Sequence, residues 1–201
     1  MTNNLKKIKL GFLASGRGSN MLAIFNDCIA GRLDAEPAVV ISNNATAGAL
    51  EYSRGAGIPA FHLSTQTHPE KLDDVITDTL KSHAVDWVIL AGYMKKIGPQ
   101  LLEEFQGKIF NIHPSLLPKH GGKGMFGIYV HESVLASGDS ETGVTIHLVD
   151  GEYDQGRILA QERVKVEEGD DAVTLAARVL KLEHQLYSET LQGVVEGRIK
   201  L

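Results

Sequence analysis

The chain has 201 residues, 43% hydrophobic and 22% charged, which suits a single globular domain over 1–201 and excludes a disordered chain, a collagen-like repeat and a disulfide scaffold. Twenty Lys and Arg against 25 Asp and Glu leave a net charge of −5, so a nucleic-acid partner is disfavoured and an anionic substrate must be drawn by a local site. The lone cysteine, Cys28, cannot close an internal disulfide. No run approaches the ~18 apolar residues of a membrane span, and Lys9, Gly11 and Ser15 break the apolar start where a leader would need continuity. A cytoplasmic protein with no membrane partner is expected.

In chain order, Ile8 to Ala14 predicts a strand, SGRGSN a glycine-rich turn, and Met21 to Ala30 a helix with Met21, Leu22, Phe25, Cys28 and Ile29 at helical spacing. Ala38 to Ile41 predicts a short buried strand, Ala45 to Ala56 a helix and Ile58 to His62 a third strand. Pro69 to His83 reads as a helix with Pro69 in its first turn, and Val85 to Ala91 as a strand apolar enough to be covered on both faces. Lys108 to Asn111 predicts another short strand, followed by a Pro- and Gly-bearing loop over Ile112 to Phe126 and a helix over Tyr129 to Ser137. Thr142 to Val149 and Ile158 to Val166 form a hairpin-like or mixed β region, and Asp171 to Val195 a long terminal helix. This alternation predicts an α/β fold: one open, mostly parallel twisted sheet with helices on both faces and a mixed β region in the C-terminal half.

Four segments carry residue types suited to chemistry. Ser15-Gly16-Arg17-Gly18-Ser19-Asn20 joins a strand to a helix, where free N–H groups and the helix dipole favour an anion; it matches neither a Walker A loop nor the full dinucleotide fingerprint, so a single phosphate suits it best. In Asn111-Ile112-His113-Pro114, Asn111 and His113 face one side if the strand continues, an amide and an imidazole able to stabilise an oxyanion and move a proton. Asp150-Gly151-Glu152-Tyr153-Asp154-Gln155-Gly156 is an acidic turn that would hold a carboxylate near His113 and raise its pKa; spacing alone leaves Asp150 and Asp154 both open. Ala91-Gly92-Tyr93-Met94-Lys95-Lys96-Ile97 sits at a strand's carboxyl end, where open α/β sheets bind ligands and a flat heterocycle would fit. The eight histidines show no HxxxH or Cys-paired spacing, so no metal is expected, and Cys28 lies on an apolar helix face.

Together SGRGSN, LAGYMKKI, NIHPSLLP, VDGEYDQGRILAQ and LEHQLY, in this order from about Lys9 to about Gly197, resemble the phosphoribosylglycinamide formyltransferase family of de novo purine synthesis. The resemblance implies a Rossmann-like formyltransferase fold with a phosphate-binding half to about residue 105 and a folate-binding, catalytic half beyond it. It implies 10-formyltetrahydrofolate as cosubstrate, small-molecule partners, no metal, and a monomer or homodimer. Gly18, Ser19 and Asn20 would hold the substrate phosphate, with Glu183 near its ribose or glycinamide. Met94, Lys95, Lys96, Ile97, Asn111 and the turn of Asp150, Gly151, Glu152, Tyr153 and Asp154 would bind the folate. Asn111, His113 and Asp154 would be catalytic, Gly156 two residues on selecting Asp154; Asn111 and a protonated His113 would stabilise the oxyanion in a direct transfer. The loop 119–130 is longer than in some members, and no arginine stands near His68 to meet the folate. A formyltetrahydrofolate hydrolase with its extra N-terminal domain, a methionyl-tRNA formyltransferase with its extra C-terminal domain, and a non-catalytic phosphate-binding protein are the rival expectations.

Overall fold

The computed structural model describes residues 7–201; residues 1–6, part of the start weighed as a leader and of the 1–201 span, lie outside the described residues. The elements run β1 (Ile8–Ala14), α1 (Ser19–Ile29), β2 (Ala35–Ser42), α2 (Gly48–Gly55), β3 (Ala60–His62), α3 (Leu72–Ser82), β4 (Trp87–Leu90), α4 (Pro99–Glu104), β5 (Ile109–His113), α5 (Ile128–Ala136), β6 (Glu141–Leu148), β7 (Ile158–Lys165) and α6 (Ala172–Val195). The strands form one open sheet in the order β3-β2-β1-β4-β5-β6-β7, with β1 to β5 parallel and β6 and β7 antiparallel. From β1 the chain winds outward to β3, then returns to place β4 on the other side of β1. The loops after β1 and β4 therefore part at the sheet's carboxyl edge and leave a crevice there.

Period-2 alternation supplies two cores. Leu10, Phe12 and Ala14 of β1 pack with α1, α2, α5 and α6, whereas Leu13 turns to α3 and α4. Phe12 and Phe25 meet edge to face at 5.0 Å, tying α1 to the sheet. Tyr187 of α6 is fully buried and its hydroxyl donates to the carbonyls of Phe110 (2.9 Å) and Leu90 (3.3 Å). That contact fixes the long helix against the ends of β4 and β5, where the crevice lies. An Asp171–Thr174 capping box starts the helix.

Several boundaries differ from expectation for local reasons. Pro69 is outside the third helix, because Glu70 adopts a left-handed φ of 65° that stops α3 from reaching back to it. The second helix starts at Gly48, not Ala45, since the Asn44 side chain accepts the Thr46 N–H (3.2 Å) and holds a turn. The short helix α4 was not foreseen. Its first N–H groups at Gln100 and Leu101 are accepted by the Asp73 carboxylate (2.8 and 3.3 Å), a cap supplied from distant sequence. β5 continues through His113 because β6 pairs with it, Asn111 opposite His147 and His113 opposite Thr145. Among the described residues no helix is long and apolar enough to cross a membrane, and no His, Cys, Asp and Glu group is arranged for a metal.

Candidate active site

The crevice is a cleft of about 460 Å³ at the carboxyl ends of β4 and β5. Its far wall is the start of α1. Gly18 adopts φ 74°, a left-handed turn that suits glycine, and a Cβ there would also meet the Cβ of Ala49 at 2.9 Å. No side chain caps α1, so its first N–H groups are left for a ligand. Ser19 and Asn20 line the cleft; Gly18 is buried behind them. Asn20 Nδ2 donates to Glu183 Oε2 at 2.7 Å, and Glu183 lines the cleft one turn before the anchored Tyr187. Burial raises the Glu183 pKa against that hydrogen bond. Asn20 Oδ1 is buried with no protein partner among the described residues, an acceptor waiting for a donor.

Ser15 braces the neighbouring wall. Its hydroxyl donates to Asn43 Oδ1 (2.5 Å) and accepts the Met94 N–H (2.8 Å), so the loops after β1 and β4 are joined. Met94, Lys95 and Lys96 are exposed along the cleft, Ile97 is buried at its floor, and the Lys96 ammonium stands 6.0 Å from the Tyr153 ring across it. Gly151, Glu152, Tyr153 and Asp154 line the opposite wall. Asp150 does not; it is exposed, and its carboxylate accepts the Glu152 N–H at 3.4 Å. The cleft thus draws on chain from both sides of residue 105, so the folate-candidate residues are not confined to the second half.

At the centre stand Asn111, His113 and Asp154. His113 Nδ1 lies 3.5 Å from Asp154 Oδ2, and Asn111 Nδ2 lies 3.0 Å from His147 Nε2, which in turn is 3.6 Å from Asp154 Oδ1. His147 Nδ1 donates to the Leu148 carbonyl (2.8 Å), leaving Nε2 to accept one Asn111 N–H; the second N–H of that amide is free for a ligand. His113 Nε2 donates to the His120 carbonyl (2.8 Å), leaving Nδ1 with a lone pair. Asp154 sits at a left-handed φ of 58° and Oδ2 accepts the Gly122 N–H (2.8 Å), so the loop 119–130 holds the carboxylate in place. Gly156 permits this turn because a Cβ there would lie 1.8 Å from the Leu148 carbonyl oxygen.

Electrostatics bear on one expectation. Burial lowers the His113 pKa below the ordinary imidazole value, outweighing Asp154 and the His120 carbonyl, which raise it; His147 adds a further lowering. Burial thus biases the imidazole toward its neutral form before substrate arrives, where the sequence pointed to a protonated one. Burial works to raise the Asp154 carboxyl, but the neighbouring His147 and His113 rings and the Gly122 N–H together hold it below the ordinary carboxylate value. Three groups were missed in the sequence. His147 and His131 are nearly fully buried against the cleft, His131 Nδ1 without a partner among the described residues, and the His120 carbonyl completes the centre. Alternation along β6 opposite Asn111 was the available signal for His147. His131 sits on α5, and the His120 carbonyl depends on how the loop before that helix folds. The Leu117–Pro118 peptide is cis.

Comparison with known proteins supplies the last observation. Residues 8–191 match the formyl transferase family. The chain is 45% identical over 97% of its length to a chloroplastic phosphoribosylglycinamide formyltransferase of Vigna unguiculata, spanning 63% of that relative's own length. It is 38% identical over 96% of its length to phosphoribosylglycinamide formyltransferase of Haemophilus influenzae, spanning 90% of that protein. A crystal structure of glycinamide ribonucleotide transformylase 1 from Symbiobacterium toebii superposes with a TM-score of 0.91 at 37% identity, covering 99% of this chain and 94% of the other.

Proposed function

The chain belongs to the formyl transferase family, and from that premise we propose that it is an enzyme of purine synthesis that moves the formyl group of 10-formyltetrahydrofolate onto the amine of N1-(5-phospho-D-ribosyl)glycinamide. The observation that carries this reading is the geometry of one cleft: a helix N-terminus with Asn20 and Glu183 at one end, and Asn111, His113 and Asp154 converging at its centre. The folate supplies an activated formyl carbon when bound. Its flat ring suits the slot between Met94–Ile97 and Gly151–Asp154, where main-chain groups and apolar side chains face each other. The substrate phosphate rests on the α1 start at Gly18, Ser19 and Asn20, and Glu183 with Asn20 Oδ1 receives the ribose or glycinamide donors. A cytoplasmic location and a monomer or homodimer belong to the same proposal.

His113 begins neutral, with Nδ1 free to take the proton that the amine sheds as it bonds to the formyl carbon. The imidazolium so formed is stabilised by Asp154, 3.5 Å from Nδ1. With the free N–H of Asn111 it balances the negative charge developing on the formyl oxygen. His113 then returns the proton to the departing folate nitrogen as that bond to carbon breaks. No covalent enzyme adduct is needed: the Cys28 thiol is buried in the core away from the cleft, and burial pushes its pKa up to about 11.

The test incubates the protein with 10-formyltetrahydrofolate, with and without the ribonucleotide, and follows folate release and ribonucleotide mass. A formyl mass gain that is lost in His113→Ala supports the proposal. Folate release without acceptor replaces it with a hydrolase, and ribonucleotide binding with no reaction replaces it with a binding protein.

A further inference from the structure

The loop between β5 and α5 carries a hydrogen-bonded chain that the transfer itself does not use. His120 Nε2 donates to Asp139 Oδ2 at 2.8 Å, and His120 Nδ1 lies 2.8 Å from Ser133 Oγ. Ser133 belongs to α5 and Asp139 lies just past its C-terminal end, so the ring is held between the helix and the segment that follows it. Lys119 Nζ donates to the other Asp139 oxygen at 2.7 Å, and with His120 it holds that carboxyl down at about 2, so the grip is anionic at every working pH. His120 itself sits at a left-handed φ of 53°, a conformation a non-glycine residue keeps only when its surroundings hold it. The result of that backbone turn is that the His120 carbonyl accepts His113 Nε2–H at 2.8 Å.

That carbonyl is in competition with Asp154. A carboxylate 3.5 Å from Nδ1 draws the single hydrogen of a neutral imidazole to Nδ1, which would leave Nδ1 without a lone pair. The His120 carbonyl, a pure acceptor on the far side of the ring, draws it to Nε2. We propose that His120 is a positioning residue: gripped by Ser133 and Asp139, it holds its own carbonyl on His113 Nε2 and keeps His113 in the tautomer whose Nδ1 can accept a proton. The proposal rests on the reading of His113 as the group that takes the amine proton. It assigns a task to a side chain that touches neither substrate.

The test uses the full chain labelled with 15N-histidine, and long-range 1H–15N spectra report which His113 nitrogen carries hydrogen. His113→Ala assigns the signal among those of its neighbours His120, His131 and His147, with Asp154 as the facing anion. The wild type is expected to show hydrogen on Nε2. His120→Ala and Asp139→Ala are expected to move it toward Nδ1 and to lower kcat at least tenfold, with KM for the ribonucleotide changed less than threefold. An unchanged Nε2–H tautomer in the variants overturns the proposal, even if activity falls. If His120→Ala does not fold, Asp139→Ala decides, since it leaves the His120 ring in place. Failure of the parent reading is seen separately, as full turnover by His113→Ala.

Discussion

Replacing Asn111 by alanine isolates one donor. Its amide has two N–H groups; His147 Nε2 accepts one at 3.0 Å, and the other faces the cleft, so the variant deletes a single hydrogen bond to the formyl oxygen. Removing one such donor costs about 2.7–4 kcal/mol of transition-state stabilisation, a loss of roughly 10²–10³ in kcat. The phosphate end of the cleft, Ser19, Asn20 and Glu183, is untouched, so KM for the ribonucleotide should move less than about threefold on the uniform-binding argument. Stability is also affected, because His147 loses a partner. Its Nδ1 remains bonded to the Leu148 carbonyl, so about 1 kcal/mol is expected. That corresponds to a Tm lowered by roughly 2–4 °C for a domain of this size. Steady-state kinetics at saturating formyl donor, beside a calorimetric melt, separate the two effects. A kcat within about tenfold of wild type would refute the oxyanion assignment, and a large Tm loss with normal kcat would make Asn111 a structural residue.

The remaining predictions concern pH, packing and the ribonucleotide end. Because His113 must accept a proton and burial depresses its pKa, kcat/KM should rise with pH below the ordinary imidazole value and be level at neutrality; a decline through neutral pH would restore the protonated form as the active one. His113, His131 and His184 all have pKa values lowered by burial, so the unfolded chain binds more protons and stability falls as pH drops below the ordinary imidazole value. Each contributes a slope of at most ~1.4 kcal/mol per pH unit, and a urea midpoint that is unchanged or higher at acid pH would contradict it. Gly156→Ala places a Cβ 1.8 Å from the Leu148 carbonyl and should destabilise by about 1–3 kcal/mol while lowering activity through Asp154; a wild-type melt would show that the turn relaxes freely. Glu183→Ala should raise the ribonucleotide KM about tenfold or more and leave the folate KM unchanged, whereas a change in the folate KM alone would move Glu183 out of the ribonucleotide site.

Alternation and composition were enough to recognise the sheet. Continuous apolar strands such as Trp87–Leu90 can sit only between two helical layers, and the turns after β1 and β4 carry glycines where a parallel sheet exposes its ligand edge. Asn111 and His113 were legible as a pair, since two residues apart on a strand share a face, and the order of the motifs pointed to the family. α4 was not legible, because its cap comes from Asp73, 27 and 28 residues before the N–H groups it accepts and in a separate helix. The choice of Asp154 over Asp150 follows from a left-handed turn and the Gly122 N–H, neither of which spacing can reveal.

The protonation of His113 is the sharpest division between the two. A carboxylate beside an imidazole argues from sequence for a raised pKa, and that interaction is present. Burial of the ring under the β5–α5 loop outweighs it, since desolvation depends on everything that surrounds a group and not on its nearest partner. The sequence by itself determined the residue types that can do the chemistry and the sheet edge that carries them. The tertiary structure alone decided which nitrogen is free, which carboxylate turns inward and which way burial shifts the base, because those depend on contacts between segments that no local pattern links.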